Sequence, residues 1–190
     1  MKLVLLGALL SYGVARVLET FRKRNTIPGR IVAPYTLHLL IVAHATVFAV
    51  AFYDGAGKDI MTPFAGNILL GVSLVAIATI GRFYSVKALG AYHSIQIEVR
   101  KNHPIISHGP YRFVRNPYYV SNAIEVVSFP LIVNSTIGAT LAVLLYWPCL
   151  YLRIVLEERA LLDAAKTPFA EYMRRVPRFV PLPFRVGANL

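Results

Sequence analysis

Long apolar runs separated by short polar stretches dominate this chain. Residues 3–18, 31–53, 64–80, 118–133 and 135–152 are each mostly apolar. A helix needs about 20 such residues to cross the hydrocarbon core of a bilayer. The runs at 64–80 and 135–152 hold no charged residue, whereas Asn122, Glu125 and Pro130 interrupt the run at 118–133. Only Asn134 separates the last two runs, which predicts a helical hairpin there. A single run of this kind fits a buried core helix. Five within 190 residues predict an all-α, polytopic membrane protein with five transmembrane helices.

Composition agrees with that pattern. Apolar residues make up 56% of the chain and charged residues 15%, against a charged share of about 25% in soluble domains. This excludes a disordered chain, which lacks apolar surface to bury. Cys149 is the single cysteine, which excludes an internal disulfide scaffold. The net charge of +11 would suit a nucleic-acid partner, but its placement gives another explanation. Of the 20 Lys and Arg residues, 17 fall in segments 22–30, 82–115 and 153–185. With five crossings, all three segments lie on one side. The positive-inside rule makes that side cytoplasmic, so the N-terminus is expected outside and the C-terminus in the cytoplasm. Anionic headgroups then account for the basicity, and no nucleic acid is expected. The first run has one Lys before it and a basic cluster after it, the polarity of an uncleaved anchor. Asp54-Gly55-Ala56-Gly57 lies on the outer side with no strand before it, so a turn is expected there and not a phosphate loop. No internal repeat or linker appears, and residues 1–190 are expected to form one membrane domain. Its first 80 residues supply three spans.

The polar side chains gather in two segments on the basic side. The first holds Gln96, His103, His108, Tyr111, Arg112, Arg115, Asn116, Tyr118 and Tyr119. Gly109-Pro110 marks a turn. Pro117 suits the first turn of a helix, with Asn116 as its cap, and a helix start attracts anionic groups. His103, His108 and Cys149 make a poor metal set, and no metal is expected. The second segment begins Arg153-Ile-Val-Leu-Glu157-Glu158. Arg153 and Glu157 are four residues apart and share a helix face. The order Arg before Glu is the weaker one for helix support, so a ligand or partner is the better reason for charges at the end of a span. Glu125, inside a span, is functional by default. It would serve as a substrate-binding base for a phenolic acceptor, or as a structural acid bonded to Asn122.

Gln96 through His103, Gly109-Pro110-Tyr111, Arg115-Asn116-Pro117, Tyr119, Arg153, Glu157-Glu158, Glu171-Tyr172 and Arg175-Val176-Pro177 together resemble the isoprenylcysteine carboxyl methyltransferase family. The resemblance spans roughly residues 81–183, making that stretch the methyltransferase core. It implies an integral membrane enzyme that uses S-adenosylmethionine, with a cofactor pocket on the cytoplasmic face. It further implies that Gln96, His103, Pro104, Ile105, Ile106, Tyr111, Asn116, Pro117, Tyr118 and Tyr119 line the cofactor pocket. Glu157 matches the acid that holds the cofactor, and Arg153 the basic residue that binds the methyl acceptor. These two are the expected catalytic residues. Two departures stand out. Asn116 replaces the His of an Arg-His-Pro triplet; it can hydrogen-bond but cannot titrate. Phe169 stands where Tyr is common.

The implied acceptor has a lipid tail and comes in sideways from the bilayer. A carboxylate such as that of prenylated cysteine is the family's eponymous acceptor. The family scaffold also serves phenolic lipids and phospholipid headgroups, so the acceptor stays open. A non-catalytic lipid-binding protein is the alternative of another class. The membrane is the bacterial inner membrane or the endoplasmic reticulum, depending on the host.

Overall fold

A computed structural model describes residues 2–23, 25–58, 65–100 and 104–180. His103 lies outside the described residues, as do Arg24, Lys101 and Arg185. Helices α1 (Lys2–Phe21), α2 (Tyr35–Gly57) and α3 (Ala65–Leu89) follow the first three apolar runs. Helix α4 (Pro117–Ile132) follows the fourth. The fifth run becomes α5 (Thr136–Leu141), a π-helical turn (Ala142–Tyr146) and α6 (Trp147–Arg175), which continue one another. Four of these helical stretches are long and apolar enough to cross a membrane. The chain is a multi-pass membrane protein.

Helix α4 is the centre of the bundle. It has 16 residues, eleven of them buried, so it needs no lipid-facing stripe and can carry polar side chains inward. Small residues let α3 approach it closely. A Cβ at Gly71 would lie 2.5 Å from Ile132 Cγ1, and one at Gly81 would lie 2.7 Å from Ser121 Oγ. Such contacts replace the hydrophobic drive that lipid removes. A buried cluster of Leu40, Val47, Val126, Tyr146, Leu150 and Ile154 joins α2 and α4 to the last rod.

The expected hairpin between the fourth and fifth runs is present. Asn134 turns the chain with φ +54°, and the Ser135 hydroxyl accepts from Gly138 N at 2.9 Å to cap α5. At this end of the bundle Asp54 accepts from Lys58 at 2.8 Å and from Ser135 Oγ at 2.7 Å. Asp54-Gly55-Ala56-Gly57 is helical, not a turn, because α2 runs through it to Gly57; those contacts hold its last turn in place.

Two further differences shape the opposite end. Residues Arg30–Val32 form a strand, β1, where the second span was expected to begin. It pairs antiparallel with β2 (Ile97–Val99), Arg30 opposite Val99 and Val32 opposite Ile97. The all-α body thus carries a small two-stranded ribbon. The last rod does not stop at residue 152 but continues to Arg175. Arg153 and Glu158 are buried and paired within the protein, so their charges do not force the helix out to water. The rod breaks once, at Lys166, with φ 43° and ψ −120°. Pro168 cannot continue the hydrogen-bond ladder across that point. The break turns residues 167–175 so that Phe169 and Tyr172 face inward, where both are buried.

Candidate active site

The ribbon, the turn at Gly109–Arg112, the start of α4 and the end of α6 enclose one cleft. It holds about 800 Å³ of free space, its open mouth included. Tyr92, Gln96 and Glu98 form one wall, and Pro104, Ile105, Ile106 and Tyr111 a second. Asn116, Arg115, Glu157, Glu158, Leu161, Phe169 and Tyr172 complete it. The spacing of these residues explains their convergence. Gly109 has φ +59°, a conformation glycine adopts without strain, and it reverses the chain so that Tyr111 points back. The Tyr172 hydroxyl donates to the Tyr111 carbonyl at 2.7 Å, tying the final helical segment to this turn. Burial, and then the nearby Glu157 charge, push the Tyr111 phenol well above its ordinary range. Tyr111 therefore stays a neutral aromatic wall.

Seven of the expected cofactor residues meet in this cleft: Gln96, Pro104, Ile105, Ile106, Tyr111, Asn116 and Glu157. Pro117, Tyr118 and Tyr119 do not line it. Successive helix residues diverge by about 100°, so the start of α4 turns only Asn116 toward the cleft. Tyr118 instead lines a smaller crevice with Arg16, Glu19, Arg82, His93 and Ile95. Tyr119 lies just behind the cleft and donates its hydroxyl proton to Glu157.

Arg153 is not brought to the cleft either. It is 2% exposed. Its Nε donates to the Tyr119 hydroxyl at 2.9 Å, Nη1 to Thr36 Oγ1 at 2.9 Å and Nη2 to the Ile95 carbonyl at 2.6 Å. The four-residue spacing of Arg153 and Glu157 does place both on one face, but they meet on the Tyr119 hydroxyl, with Glu157 toward the cleft and Arg153 behind it.

Glu125 stands apart. Its carboxylate accepts from Arg16 Nε at 2.6 Å, Arg82 Nη1 at 2.6 Å and the Tyr12 hydroxyl at 2.7 Å. Asn122 is not its partner; Asn122 Oδ1 is buried with no hydrogen bond among the described residues. Arg16 and Arg82 fall within apolar helices, and buried charges require partners. That requirement was the sequence feature pointing to this cluster.

Asn116 occupies the cap position of α4, but its side chain makes no cap hydrogen bond. Its amide donates instead to Glu158 Oε1 at 2.8 Å. A bond to a buried carboxylate is the stronger of the two. Sequence reasoning missed Glu158 as a site residue. It is 4% exposed and also accepts from Arg115 Nε at 3.1 Å and Arg178 Nη2 at 2.6 Å. Arg115 further donates to the carbonyls of Met173 and Val176 at 2.9 and 2.7 Å, satisfying the end of α6. The available clue was the pair of adjacent acids, Glu157-Glu158, in a chain with an excess of arginines to pair with them.

The cleft suits a ligand with a cation, hydrogen-bond donors and a flat ring. Among the described residues Gln96 Oε1 is buried there without a partner, an acceptor waiting for a donor. Glu157 lines the cleft and accepts from Tyr119, and among the described residues no Lys or Arg bonds to it directly. Ile105, Ile106, Leu161 and Phe169 supply apolar surface. These features fit S-adenosylmethionine, which carries an ammonium, a sulfonium and an adenine. Among the described residues, no group of three or more His, Cys, Asp or Glu converges as a metal site.

Comparison with known proteins agrees with the geometry. The model of the isoprenylcysteine carboxyl methyltransferase family matches residues 69–163, the stretch from α3 into α6. The cobalt-zinc-cadmium resistance protein CzcN of Cupriavidus metallidurans is 30% identical over 89% of this chain and 69% of its own length. Protein-S-isoprenylcysteine O-methyltransferase B of Arabidopsis thaliana is 28% identical over 77% of this chain and 73% of its own. The protein-S-isoprenylcysteine O-methyltransferase of Schizosaccharomyces pombe is 27% identical over 47% of this chain and 38% of its own. With its apolar helices, its cleft and half its length matched in this way, the chain belongs to the isoprenylcysteine carboxyl methyltransferase family.

Proposed function

We propose that this protein moves a methyl group from S-adenosylmethionine to a lipid-tailed acceptor, and that the acceptor group is a carboxylate such as that of prenylated cysteine. The observation that carries this reading is the cleft itself, where Glu157 and the unpaired Gln96 oxygen face the same space.

S-adenosylmethionine, when bound, supplies an electrophilic methyl group on a positively charged sulfur. The chain's own residues hold and orient. Glu157 pairs the ammonium, and Gln96 accepts from a donor of the ligand. Tyr111 and Phe169 pack the ring, and an aromatic face near a cation contributes ~0.5–2 kcal/mol. In-line methyl transfer needs alignment and exclusion of water more than proton transfer. A carboxylate acceptor is already ionised near neutral pH and needs no base. Glu125, the base a phenol would require, is held by two arginines away from the cleft, and His108 is exposed. Both placements favour an acceptor that arrives ionised. The apolar helix faces let the acceptor's tail stay in lipid while its head reaches the cleft, which lies on the cytoplasmic side in this reading.

The test is methyl transfer from labelled S-adenosylmethionine by the detergent-purified protein, with prenylcysteine, a phenolic lipid and a phospholipid offered side by side. Label in prenylcysteine alone is the expected result. Transfer to the phenolic lipid or the phospholipid instead would overturn the carboxylate assignment. No transfer and no cofactor binding would overturn the enzyme reading.

A further inference from the structure

The matched family stretch begins at residue 69, yet a residue well before it is linked to the candidate site by hydrogen bonds. Thr36 is in the first turn of α2 and is 1% exposed. Its hydroxyl donates to the Ala33 carbonyl at 2.8 Å, which leaves its oxygen lone pairs pointing away from that bond. Arg153 Nη1 donates to this oxygen at 2.9 Å. Arg153 Nε donates to the Tyr119 hydroxyl at 2.9 Å, and that hydroxyl donates to Glu157. One chain of hydrogen bonds thus runs from α2 through α6 and α4 to the carboxylate that faces the cleft.

The chain has a direction. A hydroxyl has one proton, and each hydroxyl here spends it away from Arg153: Thr36 on Ala33, Tyr119 on Glu157. Arg153 supplies protons to both. Arginine has no acceptor atom, so it fixes which way both hydroxyls point. Linked bonds of this kind also polarise one another in a low-dielectric interior. With Thr36 removed, Nη1 loses its acceptor in a buried place, and the guanidinium must shift toward another. Tyr119 then follows Arg153, and Glu157 follows Tyr119.

We infer that Thr36 is a positioning residue for Glu157, acting through Arg153 and Tyr119 to set the cofactor end of the cleft. This rests on the reading of the cleft as the S-adenosylmethionine site. It assigns a role in that site to the N-terminal half of the chain, and it makes Arg153 the middle of a support and not a contact to the acceptor.

The experiment compares the full-length protein with Thr36→Val, Thr36→Ser and Val47→Ala in detergent. Valine keeps the shape of threonine and removes the hydroxyl; serine keeps the hydroxyl. Val47 is on the same helix, 0% exposed, within the apolar core, so its truncation lowers stability without touching the hydrogen-bond chain. Equilibrium binding of labelled S-adenosylmethionine and thermal midpoints are measured for all four. Thr36→Val is expected to weaken binding about tenfold, as for the loss of one bond to a charged group. Thr36→Ser is expected to restore binding to within about twofold. Val47→Ala should lower the midpoint and leave affinity unchanged. If Thr36→Val binds like the wild type, or Val47→Ala weakens binding as much, the inference is wrong while the cleft reading stands. If the wild type binds no S-adenosylmethionine, the cleft reading falls and the inference with it.

Discussion

The side-chain amide of Asn116 donates to Glu158 Oε1 over 2.8 Å, with both residues buried. This bond explains how asparagine serves where the family's triplet has histidine. The position supplies a donor to a carboxylate, and a donor does not have to titrate. Replacing Asn116 with Leu keeps the volume and removes the donor. It is expected to destabilise by ~1.5–3 kcal/mol, the range for hydrogen bonds to charged groups. Asn116→His retains a ring N–H and should keep cofactor affinity near that of the wild type. Thermal midpoints and labelled-cofactor binding check the two variants. A Leu variant as stable as the wild type would show that the Glu158 bond contributes nothing.

Arg153 calls for a different expectation than its place in the sequence motif suggests. A side chain that touches only the acceptor could be lost without effect on the cofactor. Here Arg153→Ala leaves the Tyr119 hydroxyl, Thr36 and the Ile95 carbonyl without their donor. Lost turnover is expected together with cofactor affinity weakened about tenfold or more. Arg153→Lys restores the charge but not the planar fork, so it should recover only part of the affinity. Cofactor binding unchanged in Arg153→Ala would return Arg153 to the acceptor role.

Glu125 is the keystone of a second buried set. Glu125→Gln takes away the buried carboxylate that Arg16 and Arg82 share and leaves them the more exposed Glu19, at 2.8 and 3.7 Å. Removing one partner of a buried ionic group costs about 3–5 kcal/mol. The thermal midpoint of the variant should fall sharply, with α1 loosened first, because Tyr12 and Arg16 hold α1 to this cluster. Protein that stays folded should bind cofactor normally, since Glu125 does not line the cleft. A midpoint like the wild type's would contradict the cluster's structural role.

The α3–α4 contact gives a packing test. Any Cβ at Gly71 meets Ile132 at 2.5 Å and the Ser128 carbonyl at 3.0 Å. The carbonyl belongs to the helix backbone and cannot step aside. Gly71→Val should destabilise by about 1–3 kcal/mol or more through overpacking, read as a lower midpoint. Gly66→Val, where a Cβ meets nothing within 4 Å among the described residues, is the control and should have little effect.

The legible part of this protein was its periodic and local part. Apolar runs gave the helices, and Gly109-Pro110 gave the turn that aims Tyr111. The four-residue spacing of Arg153 and Glu157 gave their shared face. What stayed hidden depends on the third dimension. Tyr118 and Tyr119 are neighbours in sequence but leave α4 in different directions, one to the crevice beside Arg82 and one to Arg153. Thr36 is 117 residues from its partner Arg153, and nothing local marks it. Glu158 was overshadowed by Glu157, although its partners Arg115 and Arg178 come from two separate segments. The expected cap role of Asn116 lost to a stronger bond that only the folded chain brings within reach.

The most direct test of the account is equilibrium binding of labelled S-adenosylmethionine to the purified wild type, to Glu157→Gln and to Leu161→Trp. Glutamine removes the charge that faces the cleft, and tryptophan fills the space beside it. Saturable binding by the wild type is expected, with affinity weakened about tenfold or more in Glu157→Gln and no binding in Leu161→Trp. Equal affinity in all three proteins would place the cofactor elsewhere and contradict the account.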